Sequence, residues 1–147
     1  MTCRFICDRM LGTLCKYLRM SGFDTAYARD SKTALVSALQ EDRVLLTRNT
    51  RMRGQKHVFF ITADAPHEQL RSVYEHFCIH GSMNFLGRCL LCNEPLKKAA
   101  KEDIRKLVPF FTYNNFDEFA QCPKCRRVYW KGSHYQKMKR DIETTAP

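Results

Sequence analysis

No apolar run in this 147-residue chain approaches the 18 residues a membrane-crossing helix needs, and no secretory h-region is present. Low-complexity tracts are missing, and the only internal repetition is a pair of cysteine knuckles. A membrane-spanning class and a repeat architecture are therefore not expected, and no membrane partner is expected either. The first strand is expected to begin almost at Met1, with no room for a cleaved leader, which implies an intracellular compartment. Acidic side chains are scarce, 15 against 25 lysines and arginines, giving a formal net charge of +10. The excess is spread along the chain: 12 basic to 8 acidic in residues 1–84, then 13 to 7 in residues 85–147. A field of this sign favours polyanions, nucleic acid before acidic lipid.

What is present begins with sulfur. Cys89-x2-Cys92 and Cys122-x2-Cys125 are separated by 29 residues. Each x2 pair can form a tight knuckle that brings two thiolates to one ion, and two knuckles complete a closed tetrahedron of the structural zinc type. The alternative is a disulfide framework, which belongs to oxidising compartments and does not suit four further cysteines without pairing logic. Those four, Cys3, Cys7, Cys15 and Cys78, lie among apolar residues and are expected to be buried filler.

The first half alternates strand and helix. Arg4–Cys7 is a short apolar strand ending at Asp8; a helix follows with Met10, Leu11, Leu14, Cys15 and Leu18 inward, and Gly22 stops it. Phe23–Tyr27 is the second strand. Ser31 caps a helix through Gln40 with Leu35, Val36 and Leu39 inward; Val44–Thr47 and Val58–Ile61 are further buried strands. Pro66 opens a helix through about Cys78. This order predicts a mostly parallel, three-layer α/β domain with right-handed crossovers. The expected division is an α/β domain over 1–84, a zinc-ribbon module over 85–140 and a frayed tail over 141–147, since the second part is too short to build a large core unaided.

In an open parallel sheet the functional crevice lies beyond the carboxyl ends of the strands. Asp8, Asp30, Asn49 and Asp64 all follow strands and are candidates to converge there. Gathered carboxylates repel unless a divalent cation sits between them, and ions held so can activate water against a phosphodiester. The plainer reading is that each side chain caps a helix or closes a turn.

Several motifs in order carry a resemblance. Asp8-Arg9-Met10-Leu11-Gly12, Leu18-Arg19-x-x-Gly22-Phe23-Asp24 and Leu45-Leu46-Thr47-Arg48-Asn49 are joined by Arg88-Cys89-Leu90-x-Cys92-Asn93-x-Pro95-Leu96, Cys122-Pro123-x-Cys125 and Val128-Tyr129-Trp130-x-Gly132-Ser133-His134-Tyr135. From about residue 4 to 140 the chain resembles the Mut-seven C-terminal RNase domain family, a PIN-like fold followed by a zinc ribbon. The resemblance implies Mg²⁺ or Mn²⁺ bound by acidic residues, with Asp8 matching the first position and Asp30 a second; Asp64 is a looser candidate. Where the family has Thr-Arg-Asp, this chain has Thr47-Arg48-Asn49, so the implied site lacks one charge and is expected to be degenerate. The resemblance also implies a 3′–5′ exoribonuclease, linked covalently or as a partner, and a cytoplasmic or perinuclear role in RNA silencing.

RNA contact has residue-level support of its own. Lys97, Lys98, Lys101 and Arg105 lie between the knuckles, while Lys124, Arg126, Arg127 and Lys131 surround the second. Arg48, Arg51 and Arg53 form another basic stretch beside the acidic rim. Tyr129, Trp130, His134 and Tyr135 interleave rings that could stack unpaired bases, which points to single-stranded RNA. Trp130 and Tyr129 could instead fill the small core under the metal, and His134 could wedge the two modules together. Three readings follow: an RNA-binding domain with little cleavage of its own, an active metal-dependent ribonuclease, or a protein adaptor using the aromatics of residues 108–119.

Overall fold

The computed structural model describes residues 3–145. β1 (Phe5–Cys7), β2 (Thr25–Tyr27), β3 (Val44–Thr47) and β4 (Val58–Phe60) form one parallel sheet in the order β2-β1-β3-β4. Strands covered on both faces read as continuous apolar runs, and all three residues of β1 are buried. Side chains nonetheless alternate. Phe5, Cys7 and Leu46 enter a large core with α1 (Gly12–Met20) and α3 (Pro66–Phe77), while Ile6 and Leu45 face α2 (Ser31–Glu41) on the other side. The three-layer expectation is met.

Two helix faces differ from the expected ones. On α2 Leu35 packs against the sheet core as expected, but the fully buried residues are Ala34 and Ala38, whereas Val36 and Leu39 are 52% and 53% exposed. Residues at i and i+4 share a face, and two alanines let the helix axis approach the sheet closely. Met10 lies in the 3₁₀ turn Arg9–Leu11 before α1, off that helix's apolar stripe, and is exposed. Cys7 and Cys15 are buried as expected; Cys78 is exposed, ending α3 in a left-handed conformation at φ 54°.

The second half contains β5 (Lys97–Ala99), β6 (Phe119–Gln121) and β7 (Val128–Trp130), an antiparallel sheet in sequence order. Ile104, Phe119 and Val128 form its small core, with Trp130 and Tyr113 packed against it. Of the aromatics expected to form an adaptor patch, Phe119 is buried, and Tyr113 and Phe116 pack against that core. Phe110 and Phe111 are exposed, on the short helix α4 (Phe110–Asn115).

The tail expected to fray is helical through Thr145, in α5 (Ser133–Thr145); residues 146–147 lie outside the described residues. Tyr135, Met138 and Ile142 recur at three- and four-residue steps and are buried in the main α/β core beside α3. The chain thus returns from the ribbon to complete the body.

The modules meet through close backbone and polar contacts. A Cβ on Gly87 would lie 2.7 Å from the Gly22 Cα, so both positions require glycine for the chains to cross; Gly22 also has φ 93°. The buried Arg19 donates from Nε to the Thr25 carbonyl at 2.8 Å and from Nη1 to the Leu90 carbonyl at 2.7 Å. Asn93 accepts the Thr25 amide at 2.9 Å and donates to Asp24 at 2.6 Å.

Candidate metal centre and acidic rim

The two knuckles fold alike. Cys89 N–H donates to the Glu94 carbonyl and Asn93 N–H to the Cys89 carbonyl; Cys122 N–H donates to Arg127 and Arg126 N–H to Cys122. The fifth residue of each knuckle takes a left-handed conformation, Asn93 at φ 64° and Arg126 at φ 70°. This tight turn puts the four sulfurs within 4.8 Å of one another, with Cys89 and Cys125 Sγ 3.7 Å apart. A tetrahedron with bonds of about 2.3 Å has edges of about 3.8 Å, so the cluster fits a four-coordinate structural metal. All four expected ligands are brought together.

Tyr129 supports the centre from outside. Its hydroxyl accepts the Leu90 amide at 3.0 Å and lies 3.2 Å from Cys89 Sγ, leaving its proton to donate to a thiolate. Burial alone would raise the Cys89 pKa, but the Tyr129 hydroxyl and the Cys92 and Leu91 amides bring it down to about 7. Desolvation and the sulfurs of Cys125, Cys89 and Cys122 push Cys92 up to about 12.

At the rim of the parallel sheet the picture is mixed. Cys7 pairs with Leu46 in register, which sets Asp8 beside Thr47. Asp8 is 3% exposed, and its Oδ2 accepts from Ser31 Oγ at 2.7 Å and from Thr47 Oγ1. Its Oδ1 is buried with no hydrogen-bond partner. Asn49 joins this cluster by donating from Nδ2 to Ser31 Oγ at 3.1 Å and from its amide to Thr47 Oγ1 at 2.9 Å. Its Oδ1 turns back to accept the Arg51 amide at 3.0 Å.

The other two candidates are engaged elsewhere. Asp30, not Ser31, is the N-cap of α2: it accepts the Thr33 amide at 2.8 Å and the Thr33 hydroxyl at 2.9 Å, bonds that lower its pKa. Asp64 is exposed and pairs with Arg48 Nη2 at 2.5 Å. Among the described residues, the four cysteines are the only group of three or more metal-type side chains drawn together; Asp8, Asp30 and Asp64 form no such group. Ser31 and Thr47, which hold Asp8, were legible only as a cap and a strand residue.

The basic candidates divide similarly. Arg48 is occupied by Asp64 and the carbonyls of Thr62 and Ala63, and Arg53 lies 4.2 Å over the Phe60 ring. Lys101 pairs with Asp117 at 3.2 Å and Lys131 with Glu118 at 3.4 Å, while Arg105 lies over Tyr113. Arg51 and Lys124 are exposed. Lys97, Lys98 and Arg126 are exposed and line one groove of about 560 Å³ along β5, whereas Arg127 lines another cleft behind β7. Tyr135 cannot stack on a base as expected, because it is buried in the main core at 5% exposure. His134 is exposed; the wedge between modules is Tyr135 with Met138.

The molecule is a parallel α/β body with a buried carboxylate at its strand ends, joined to a ribbon whose four cysteines could hold a structural metal. The profile of the Mut7-C RNAse domain matches residues 3–142, nearly the whole chain, and the chain belongs to that family. No curated protein and no solved structure matches it. Among the described residues no helix is long and apolar enough to cross a membrane.

Proposed function

We propose that this chain is an RNA-binding domain whose ribbon holds zinc and whose own phosphodiester cleavage is weak. In this reading it supports RNA engagement by a Mut-seven-type exoribonuclease, linked or associated, in RNA silencing. The observation that carries it is the rim: Asp8 is the one buried carboxylate there, an amide stands at Asn49, and Asp30 and Asp64 are held by α2 and Arg48. Two-metal hydrolysis relies on several carboxylates to hold its ions. Four sulfur donors within 4.8 Å of one another suit zinc better than hard cations. RNA affinity comes from exposed cations such as Lys97, Lys98 and Arg126, and it falls as salt rises.

The test is anisotropy of labelled single-stranded RNA across a salt series, with gel assays for cleavage in Mg²⁺ and Mn²⁺. Salt-sensitive binding with no metal-dependent cleavage is expected. Turnover by clean protein that Asp8→Ala abolishes would overturn it.

One observation favours a second reading, an active ribonuclease. The buried, unpartnered Asp8 Oδ1 is the kind of atom that a divalent cation satisfies, so the residues present fit Mg²⁺ or Mn²⁺ at reduced charge. In that case Asp8 would hold the ion, and the ion would activate water.

A further inference from the structure

Where α1, the first knuckle, β7 and the start of α5 meet, they enclose a cleft of about 580 Å³. That size lies within the roughly 300–1,000 Å³ usual for small-ligand sites. Tyr17, Trp130 and His134 supply rings to its walls, and Lys16, Arg127 and Lys137 supply cations. None of those three cations has an ion-pair partner among the described residues. Asp141 is the one acidic side chain lining the cleft, and it is engaged, accepting the Tyr17 hydroxyl at 3.1 Å. The indole of Trp130 is seated against Gly132, where a Cβ would come 2.7 Å from its Nε1. Aromatic walls beside unpaired cations suit a ligand that is both a flat ring and an anion.

We propose that this cleft, lying behind β7 and apart from the β5 groove, receives an unstacked base of single-stranded RNA, its flanking phosphates meeting Lys16, Arg127 and Lys137. The inference rests on the RNA-binding reading above and assigns that reading a base-recognition pocket. Ring stacking is tolerant of base identity, so the pocket discriminates base from no base rather than one sequence from another.

Trp130 is the only tryptophan in the chain, so emission excited selectively at the indole comes from this one residue, which lines the cleft and also touches the ribbon core. The experiment titrates the zinc-loaded full chain with a 10-nucleotide RNA, an abasic strand of equal length, and a poly-glutamate peptide. Emission and anisotropy are followed together. Saturable quenching by RNA is expected, with the abasic strand binding roughly 5- to 100-fold more weakly and without quenching. Uridine monophosphate should compete for the quench while ribose 5-phosphate should not. Thr13→Phe, at an exposed α1 position on the cleft, blocks it without removing charge and should abolish quenching at unchanged zinc content. Lys16→Glu should lower the salt slope by about 1 or more.

RNA binding without a change in emission, unaltered by Thr13→Phe but lost in Lys97→Glu/Lys98→Glu, would overturn the pocket and leave the RNA-binding reading standing. Binding of no RNA by any readout would overturn both. Equal quenching by poly-glutamate would assign the cleft to an acidic peptide and overturn the base pocket.

Discussion

The Tyr129 hydroxyl bridges the Leu90 amide, at 3.0 Å, and the Cys89 sulfur, at 3.2 Å, so one side chain ties the second strand pair of the ribbon to the first knuckle. Partners of this kind orient a ligand and relieve charge on the thiolate. Tyr129→Phe should therefore weaken metal affinity by about 10-fold or more, measured by competition with a chromogenic chelator. Unchanged affinity would show that the hydroxyl serves packing alone.

Asp24 joins the modules electrostatically. Burial disfavours its charge, but hydrogen bonds from Arg43, Asn93 and Arg4 hold its pKa at about 2 against an ordinary 3.8. A carboxylate with a depressed folded-state pKa stabilises the fold fully above its ordinary value, and that stabilisation is lost as pH falls from about 4 through 2. Asp24→Asn should be less stable than the parent at pH 6, and the gap should narrow over that acid window in urea melts. A gap that stays constant with pH would remove the linkage.

The rim has room for a direct manipulation. Asn49→Asp places a carboxylate beside Ser31 and Asp8, where like charges destabilise each other until a cation arrives. The variant should melt below the parent without added Mn²⁺ and gain more from it, by several degrees for each ~1–2 kcal/mol of added binding. Differential scanning fluorimetry checks this; equal Mn²⁺ shifts in the two proteins would show that a carboxylate at position 49 adds nothing to ion binding, and no shift in either would show that the rim holds no ion.

Ile142 tests the returning helix. It is fully buried in the α/β core, so Ile142→Ala should cost about 2–5 kcal/mol of unfolding free energy. An exposed tail would lose almost nothing, and chemical denaturation separates the two cases.

Elements with a single strong signal were legible in the sequence. β1 and β3 are short and buried on both faces, so their apolar runs announce them, and the cysteine spacing alone locates the metal centre. Strand ends placed Asp8 and Asn49 at one rim for the same reason. The hydroxyls that connect them were not legible, because they depend on the Cys7–Leu46 register and on the angle at which α2 enters. On α2, Val36 and Leu39 are the more hydrophobic choices, yet close packing selected Ala34 and Ala38. Lys137, Lys139 and Arg140 masked the apolar stripe of α5, which is why Tyr135 looked like a surface ring and residue 141 like a fraying point.

The route of α5 has a consequence for synthesis. A ribosome delivers Tyr135, Met138 and Ile142 only after both knuckles have emerged, so the newly made parallel sheet leaves one apolar flank uncovered until then. Because α5 begins just after β7, an ion bound by the four cysteines would do more than close the ribbon: it would also steady the segment that seals the body.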